Sequence, residues 1–241
     1  LTRNPEYLRA LKGAGDFILS DLERHEDEHG HCFAYAPDIL NLVHNSNLLG
    51  AATLLRVWKH YPDDKYLHNS ERAYQWTLAH QNPDGGWYYG AEAKYRWIDN
   101  FHTAYNIECF ITAYQLVGES LMPWRVIETS YRYCIDRFFD DDGGPRYFHD
   151  KAYPYDIQSA AQAIETLSRC GEYFEGAHEL AERVLNWTLS NMQMANGAFR
   201  FQLRPFWRNN QESFHWGQAT MLSALGLSMK ESDEHKVRQA K

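Results

Sequence analysis

The sequence predicts an all-α fold of helical hairpins that repeat about every 55 residues and wind into an α/α toroid, and three observations predict it. The first is a recurring turn. Gly30, Gly85, Gly143 and Gly197 follow one another at steps of 55, 58 and 54 residues, and an aromatic comes soon after each, at Phe33, Tyr89, Tyr147 and Phe201. A fixed period on this scale is the mark of stacked supersecondary units. The second is a repeated phrase. Trp76-Thr77-Leu78 returns 111 residues later as Trp187-Thr188-Leu189, and each copy runs into a Gln-x-x-x-Gly-x-aromatic turn, Gln81 to Trp87 and Gln193 to Phe199. The third is the alternating character of the segments between turns. Residues 5–22 carry Leu8, Leu11, Ala14, Ile18 and Leu22 at three- and four-residue steps, and 65–80, 121–138 and 176–192 behave alike. That spacing gives a helix with one apolar stripe. Residues 47–55, 159–167 and 219–225 are instead small and apolar nearly all round, as in helices buried on most sides.

Eight helices in four hairpins account for nearly the whole chain, with the small-residue helices inside and the amphipathic ones outside. No β alternation appears, so no sheet of three or more strands is expected. A single toroid domain is expected over 1–229, with a charged tail over 230–241. Six hairpins at this period would need about 330 residues, and the first helix does not look like the polar cap of a repeat array. The expectation is therefore an open ring lacking about two N-terminal hairpins, or exposed helices covered by another copy in a homo-oligomer.

Composition narrows the partners. The net charge is −8, with no basic stripe, which argues against a nucleic-acid backbone as ligand. No apolar run approaches the length of a membrane span. The four cysteines, Cys32, Cys109, Cys134 and Cys170, show no C-x-x-C spacing, so neither zinc nor another metal nor any cofactor is expected, and a reduced, cytoplasmic setting is. Aromatic residues make up 15% of the chain, with eight Trp and sixteen Tyr, suiting either a large core or a ring-lined pocket.

In such a ring the inner helices run one way, and their N-termini open on one mouth. His44, His102, Asp156 and His215 fall after successive glycine turns at steps of 58, 54 and 59, one ionisable residue per repeat. His102 is the first choice for catalysis, with Asp99, Tyr105 and Asp156 beside it, because His and Asp can exchange protons near neutral pH. His44, Asn47, Trp87, Arg96, Trp97, Asn106, Gln158, His215 and Gln218 are expected to bind substrate. Asp99 and Asp156 also sit where helix caps belong. Glu108 and Glu165 sit within inner helices and read as members of a buried polar network, with a reach into the channel as the alternative; Asp140-Asp141-Asp142 has the look of an acidic metal cluster but, lying in a glycine turn, reads as a solvated loop. Arg200 and Arg204 flank the last turn and read as surface arginines, with a bidentate clamp on a carboxylate or phosphate as the alternative.

The turns at Gln81–Trp87 and Gln193–Phe199 resemble the repeat of terpenoid cyclases, and Asp99 to Tyr105 resembles the stretch around the zinc-ligand His of protein prenyltransferase β subunits. The acid motif of the former and the upstream zinc pair of the latter are missing, so neither mechanism carries over. Over nearly its whole length the chain resembles a group of bacterial and archaeal toroid proteins tied to polysaccharide biosynthesis, some labelled δ-aminolevulinic acid dehydratase. The stretches that carry this are His44 to Leu49, Arg96 to Thr103, Tyr153 to Gln162 and Asn186 to Thr188; His215-Trp216-Gly217-Gln218 departs from the group's Arg-Trp-Ser-Gln. The resemblance implies a glycan or lipid-linked glycan as substrate, handled by a hydrolase or a lyase or epimerase. A glycan-binding assembly component is the alternative, and isoprenoid binding ranks third.

Overall fold

The computed structural model describes residues 4–239, with side chains described to residue 230. It divides into two compact units, one of residues 1–98 and 106–133, the other of residues 99–105 and 134–241. Eight α-helices occur among the described residues: α1 (Pro5–Ser20), α2 (His44–His60), α3 (Asp64–Ala79), α4 (Asn100–Leu116), α5 (Trp124–Phe138), α6 (Ile157–Cys170), α7 (Ala177–Met192) and α8 (Thr220–Gln239). The backbone of α8 thus takes in most of the expected charged tail, whose last two residues lie outside the described ones.

In the first unit α2 lies between α1 and α3. Asn4 starts α1 by accepting from the Glu6 N–H, ahead of Pro5 in the first turn, and Asp63 does the same for α3 at Lys65. Such caps satisfy N–H groups that a helix leaves open. The inner helix buries Leu48, Ala51, Ala52, Leu54, Leu55 and Val57. Trp76, Tyr66 and Tyr74 are fully buried beside them, each such side chain stabilising the fold by about 1.5–3 kcal/mol. Much of the aromatic content is therefore core. In the second unit α6 is the inner helix, packed against α7 and α8, and it buries Ile157, Ala160, Ala161, Ala163, Ile164 and Leu167.

The period itself comes from two backbone contacts. Gly85 has φ +96° and Gly143 φ +94°, where side chains are strained; a Cβ on the first would lie 2.7 Å from the Thr129 carbonyl of α5, and on the second 2.8 Å from the Arg183 carbonyl of α7. Each turn thus lies directly on the outer helix that follows it. The aromatic after each turn then pins an inner helix. The Tyr89 carbonyl accepts from the His44 N–H at 3.1 Å, Tyr147 from Asn100 at 2.8 Å, and Phe201 from Ile157 at 3.1 Å.

These contacts give the connections short ladders that period-2 patterning does not reveal. β1 (Arg24–Asp27) and β2 (Gly30–Phe33) form a hairpin. β3 (Tyr155–Asp156), β4 (Gln202–Leu203) and β5 (Arg208–Asn209) form a three-stranded antiparallel sheet in that order, where none of three strands was expected. Two residues per strand are too few to alternate visibly, and the fold stays helical. In the acidic turn Asp141 and Asp142 are exposed, as in a solvated loop, whereas Asp140 pairs with Arg146 and accepts from the Tyr155 hydroxyl.

Candidate functional site

The chemistry concentrates in the second unit, where α4 and α6 begin. Asp99 is 1% exposed. One of its oxygens accepts from the His102 N–H at 2.9 Å, which caps α4. The same carboxylate faces His102 Nδ1 at 2.9 and 2.7 Å. The spacing of three places both on one side of the first helical turn, and the imidazole is held with Nδ1 toward the carboxylate. An Asp in this position fixes the tautomer that accepts protons at Nε2 and stabilises the imidazolium that results.

Asp156 caps α6, accepting from the N–H groups of Gln158 at 2.9 Å and Ser159 at 3.5 Å, and its other oxygen takes a hydrogen bond from Gln202 Nε2 at 2.7 Å. Burial pushes its carboxyl above the ordinary range; these hydrogen bonds pull the other way, and the charge of Asp99 adds to the rise. The two carboxylates therefore sense one another.

A cavity of about 260 Å³ opens in the same unit, lined by Tyr105, Gln158, Gln162, Glu165, Thr220, Ser223 and two alanines. Tyr105 is one helical turn beyond His102, on the same face of α4, and its ring meets Phe101 edge-on at 4.9 Å. Among the described residues Glu165 makes no ion pair or hydrogen bond, and the Gln158 side chain makes no hydrogen bond. Glu165, which sequence reasoning weighed between a buried polar network and the channel, is a cavity wall, and so is Gln162, which it left out of the site. Gln158, Gln162 and Glu165 recur at steps of four and three along a helix whose other residues are mostly small or apolar, and that polar stripe was the signal available.

His44, Asn47, Trp87, Arg96, Trp97 and Asn106 belong to the first unit. His44 is 2% exposed, its ring tilted against those of Trp76 and His80 at 5.1 and 5.4 Å, which also meet each other at 4.3 Å. Asn47 is fully buried, accepting from the Phe33 N–H and donating to the Ala73 carbonyl and the Thr77 hydroxyl. Trp87 donates to the Thr77 carbonyl and packs on Phe110. All three are tied into the core of the first unit. Asn106 is 3% exposed and its Oδ1 has no hydrogen-bond partner. Arg96 is exposed, and Trp97 stacks on Tyr89 at 4.7 Å.

In the second unit His215 is exposed within a π-helical turn, Phe214–Ala219, that precedes α8. Gln218 grips the Phe199 peptide at both ends, accepting from its N–H at 2.9 Å and donating to its carbonyl at 2.7 Å, a structural tie. The four ionisable residues do not share one address. His44 is the first residue of α2, His102 the third of α4, Asp156 the residue before α6, and His215 lies in the π turn.

No protein-family model matches the chain, and no curated protein does. Solved structures do. A sugar epimerase from a ruminal bacterium matches with a TM-score of 0.77 at 14% identity, covering 98% of this chain and 67% of the other. An unsaturated glucuronyl hydrolase specific for heparin matches with a TM-score of 0.73 at 14% identity, over 96% and 71%. The cellobiose 2-epimerase of Spirochaeta thermophila gives 0.70 at 12%, over 96% and 66%. At such identities the likeness is one of fold, and the fold is the α/α toroid of helical hairpins.

Proposed function

We propose that this protein is a carbohydrate-active enzyme that moves a proton on a sugar, in the manner of an epimerase or lyase, with His102 as the base. The observation that carries this reading is the Asp99–His102 pair, a part-exposed imidazole held by a buried carboxylate. His102 Nε2 would take the hydrogen next to a sugar carbonyl or carboxyl as a proton, its electron pair passing to the oxygen. The Tyr105 hydroxyl, a turn further along α4, would donate a proton to that oxygen. Sugar-converting proteins among the structural neighbours support the substrate class. The substrate we carry forward is a glycan or lipid-linked glycan of polysaccharide formation, met in a reducing, cytoplasmic compartment. The four buried cysteines form no disulfide among the described residues, which suits that setting.

A hydrolytic reading has one observation in its favour, the raised carboxyl of Asp156, a property of general acids. Two carboxylates are needed, however, and both Asp99 and Asp156 already hold the groups described above. Incubation of candidate sugars in deuterated water separates the readings. The wild type should exchange one carbon-bound hydrogen for deuterium, and His102→Ala should lose the exchange by at least about 100-fold while melting within a few degrees of the wild type. Undiminished exchange in that variant, or cleavage of a glycosidic bond without deuterium entering carbon, would overturn the proposal.

A further inference from the structure

We infer that the cavity of the second unit is a subsite for a single neutral, hydroxyl-rich sugar ring, and that Glu165 is the residue that turns an anionic sugar away. The inference rests on the carbohydrate-active reading above and names the substrate class of that site: of the two forms of that reading it selects the one that acts next to a sugar carbonyl, because a sugar bearing a carboxylate is turned away.

Its size comes first. A volume of about 260 Å³ lies just below the ~300–1,000 Å³ of sites that enclose drug-sized ligands, which suits one ring rather than a length of chain. The chemistry of the wall comes second. Two glutamines, a tyrosine, a threonine and a serine give the wall amide and hydroxyl groups of the kind that donate and accept, although Gln162 Nε2 already donates to the Thr166 hydroxyl and the Thr220 hydroxyl to the Trp216 and Gly217 carbonyls, and among the lining residues there is no lysine, arginine or histidine. A uronate or phosphosugar would find no cation to meet its charge.

Glu165 is the third point. It is half-buried on α6, and among the described residues no donor reaches it. An acceptor-only group facing a cavity in this way is matched by donors from a ligand, and sugar hydroxyls are such donors. The same negative charge, close to a carboxylate on a bound sugar, repels it in a partly dry site. Attraction to one class and exclusion of the other then come from one side chain. Gln158 and Gln162, on the same face of the helix, would hold further hydroxyls.

The test is a binding titration of the whole protein with glucose, mannose and galactose, each beside its hexuronate, followed through the side-chain amide resonances of Gln158 and Gln162. At least one neutral hexose should shift both amides, and its hexuronate should bind at least about tenfold more weakly at neutral pH. Glu165→Gln keeps shape and hydrogen bonding but removes the charge, and should bring each pair to near-equal affinity. Ala161→Trp, which fills the cavity, should abolish the shifts.

A hexuronate that binds as well as its neutral partner, a ratio unchanged in Glu165→Gln, or a failure of all six sugars to perturb the glutamines would overturn the inference. Its failure is separable from that of the proposed function. Deuterium exchange that persists without charge selection removes the subsite alone; selective binding without exchange removes the reaction alone.

Discussion

Asp99 does two things with one carboxylate, capping α4 through the His102 N–H and orienting the His102 ring. The two roles can be taken apart, because Asn also caps helices well but lacks the charge that stabilises an imidazolium. Asp99→Asn should therefore leave the melting temperature nearly unchanged while slowing turnover by about 10²–10⁴-fold. Parallel loss of stability and activity would make the residue a cap and nothing more. His31 and His44 show the opposite fate of a histidine. Burial pushes His31 down to about 4, with help from Arg24 and Arg72, and His44 down to about 3, with help from His80. His31 Nε2 and His44 Nδ1 are buried without a hydrogen-bond partner. Both rings fold neutral, and the unfolded chain binds more protons below its pKa of about 6.5. Their contribution is whole above that pH and is lost as the pH falls toward 4 and 3. Melting curves between pH 7 and 4 should show this decline, and His44→Phe, which keeps the stack on Trp76, should flatten it. An unchanged slope in the variant would assign the acid sensitivity to other groups.

At the scale of elements, the glycine turns carry the repeat. Gly143 and Gly197 share a positive φ, 94° and 85°, yet a Cβ on Gly143 would lie 2.8 Å from the Arg183 backbone while one on Gly197 would meet nothing within 4 Å. Alanine at either position bears the backbone strain, about 1–3 kcal/mol. Gly143→Ala must also push the turn off α7, so urea denaturation should find it the more destabilised of the two by at least about 1 kcal/mol. Equal losses would mean that the turn does not depend on its contact with the outer helix. The same logic explains what could be read from sequence alone. Glycine spacing is visible because a backbone-to-backbone contact tolerates no side chain, and the apolar faces of α1, α3 and α7 are visible because burial imposes a helical period. The ladder at Tyr155–Asp156, Gln202–Leu203 and Arg208–Asn209 is too short to leave a pattern.

For the whole molecule, the fold class was legible and the site only partly so. Counting from glycine to the next ionisable residue treated His44 and His102 as equivalents, yet they stand two positions apart on their helices. At about 100° per residue, two positions turn a side chain by roughly 200°. His44 accordingly points among Trp76 and His80, whereas His102 meets Asp99 with a fifth of its side chain exposed. Connections that vary by a residue or two erase this register, and only coordinates restore it. Trp87 and Asn47 are hard to read for a related reason: a large aromatic or an amide reads the same in a core as in a sugar site, and Thr77, which ties both, gives no warning in sequence. The central claim is that a sugar ring in the second unit presents a carbon-bound hydrogen to His102. A crystal structure of the Asp99→Asn variant, soaked with the neutral sugar that wild type exchanges, tests it most directly. The account predicts the ring in the cavity beside Glu165 and Gln158, with one ring or chain carbon facing His102 Nε2 at near-contact distance; a sugar bound away from that cavity, or with no carbon near His102, would contradict it.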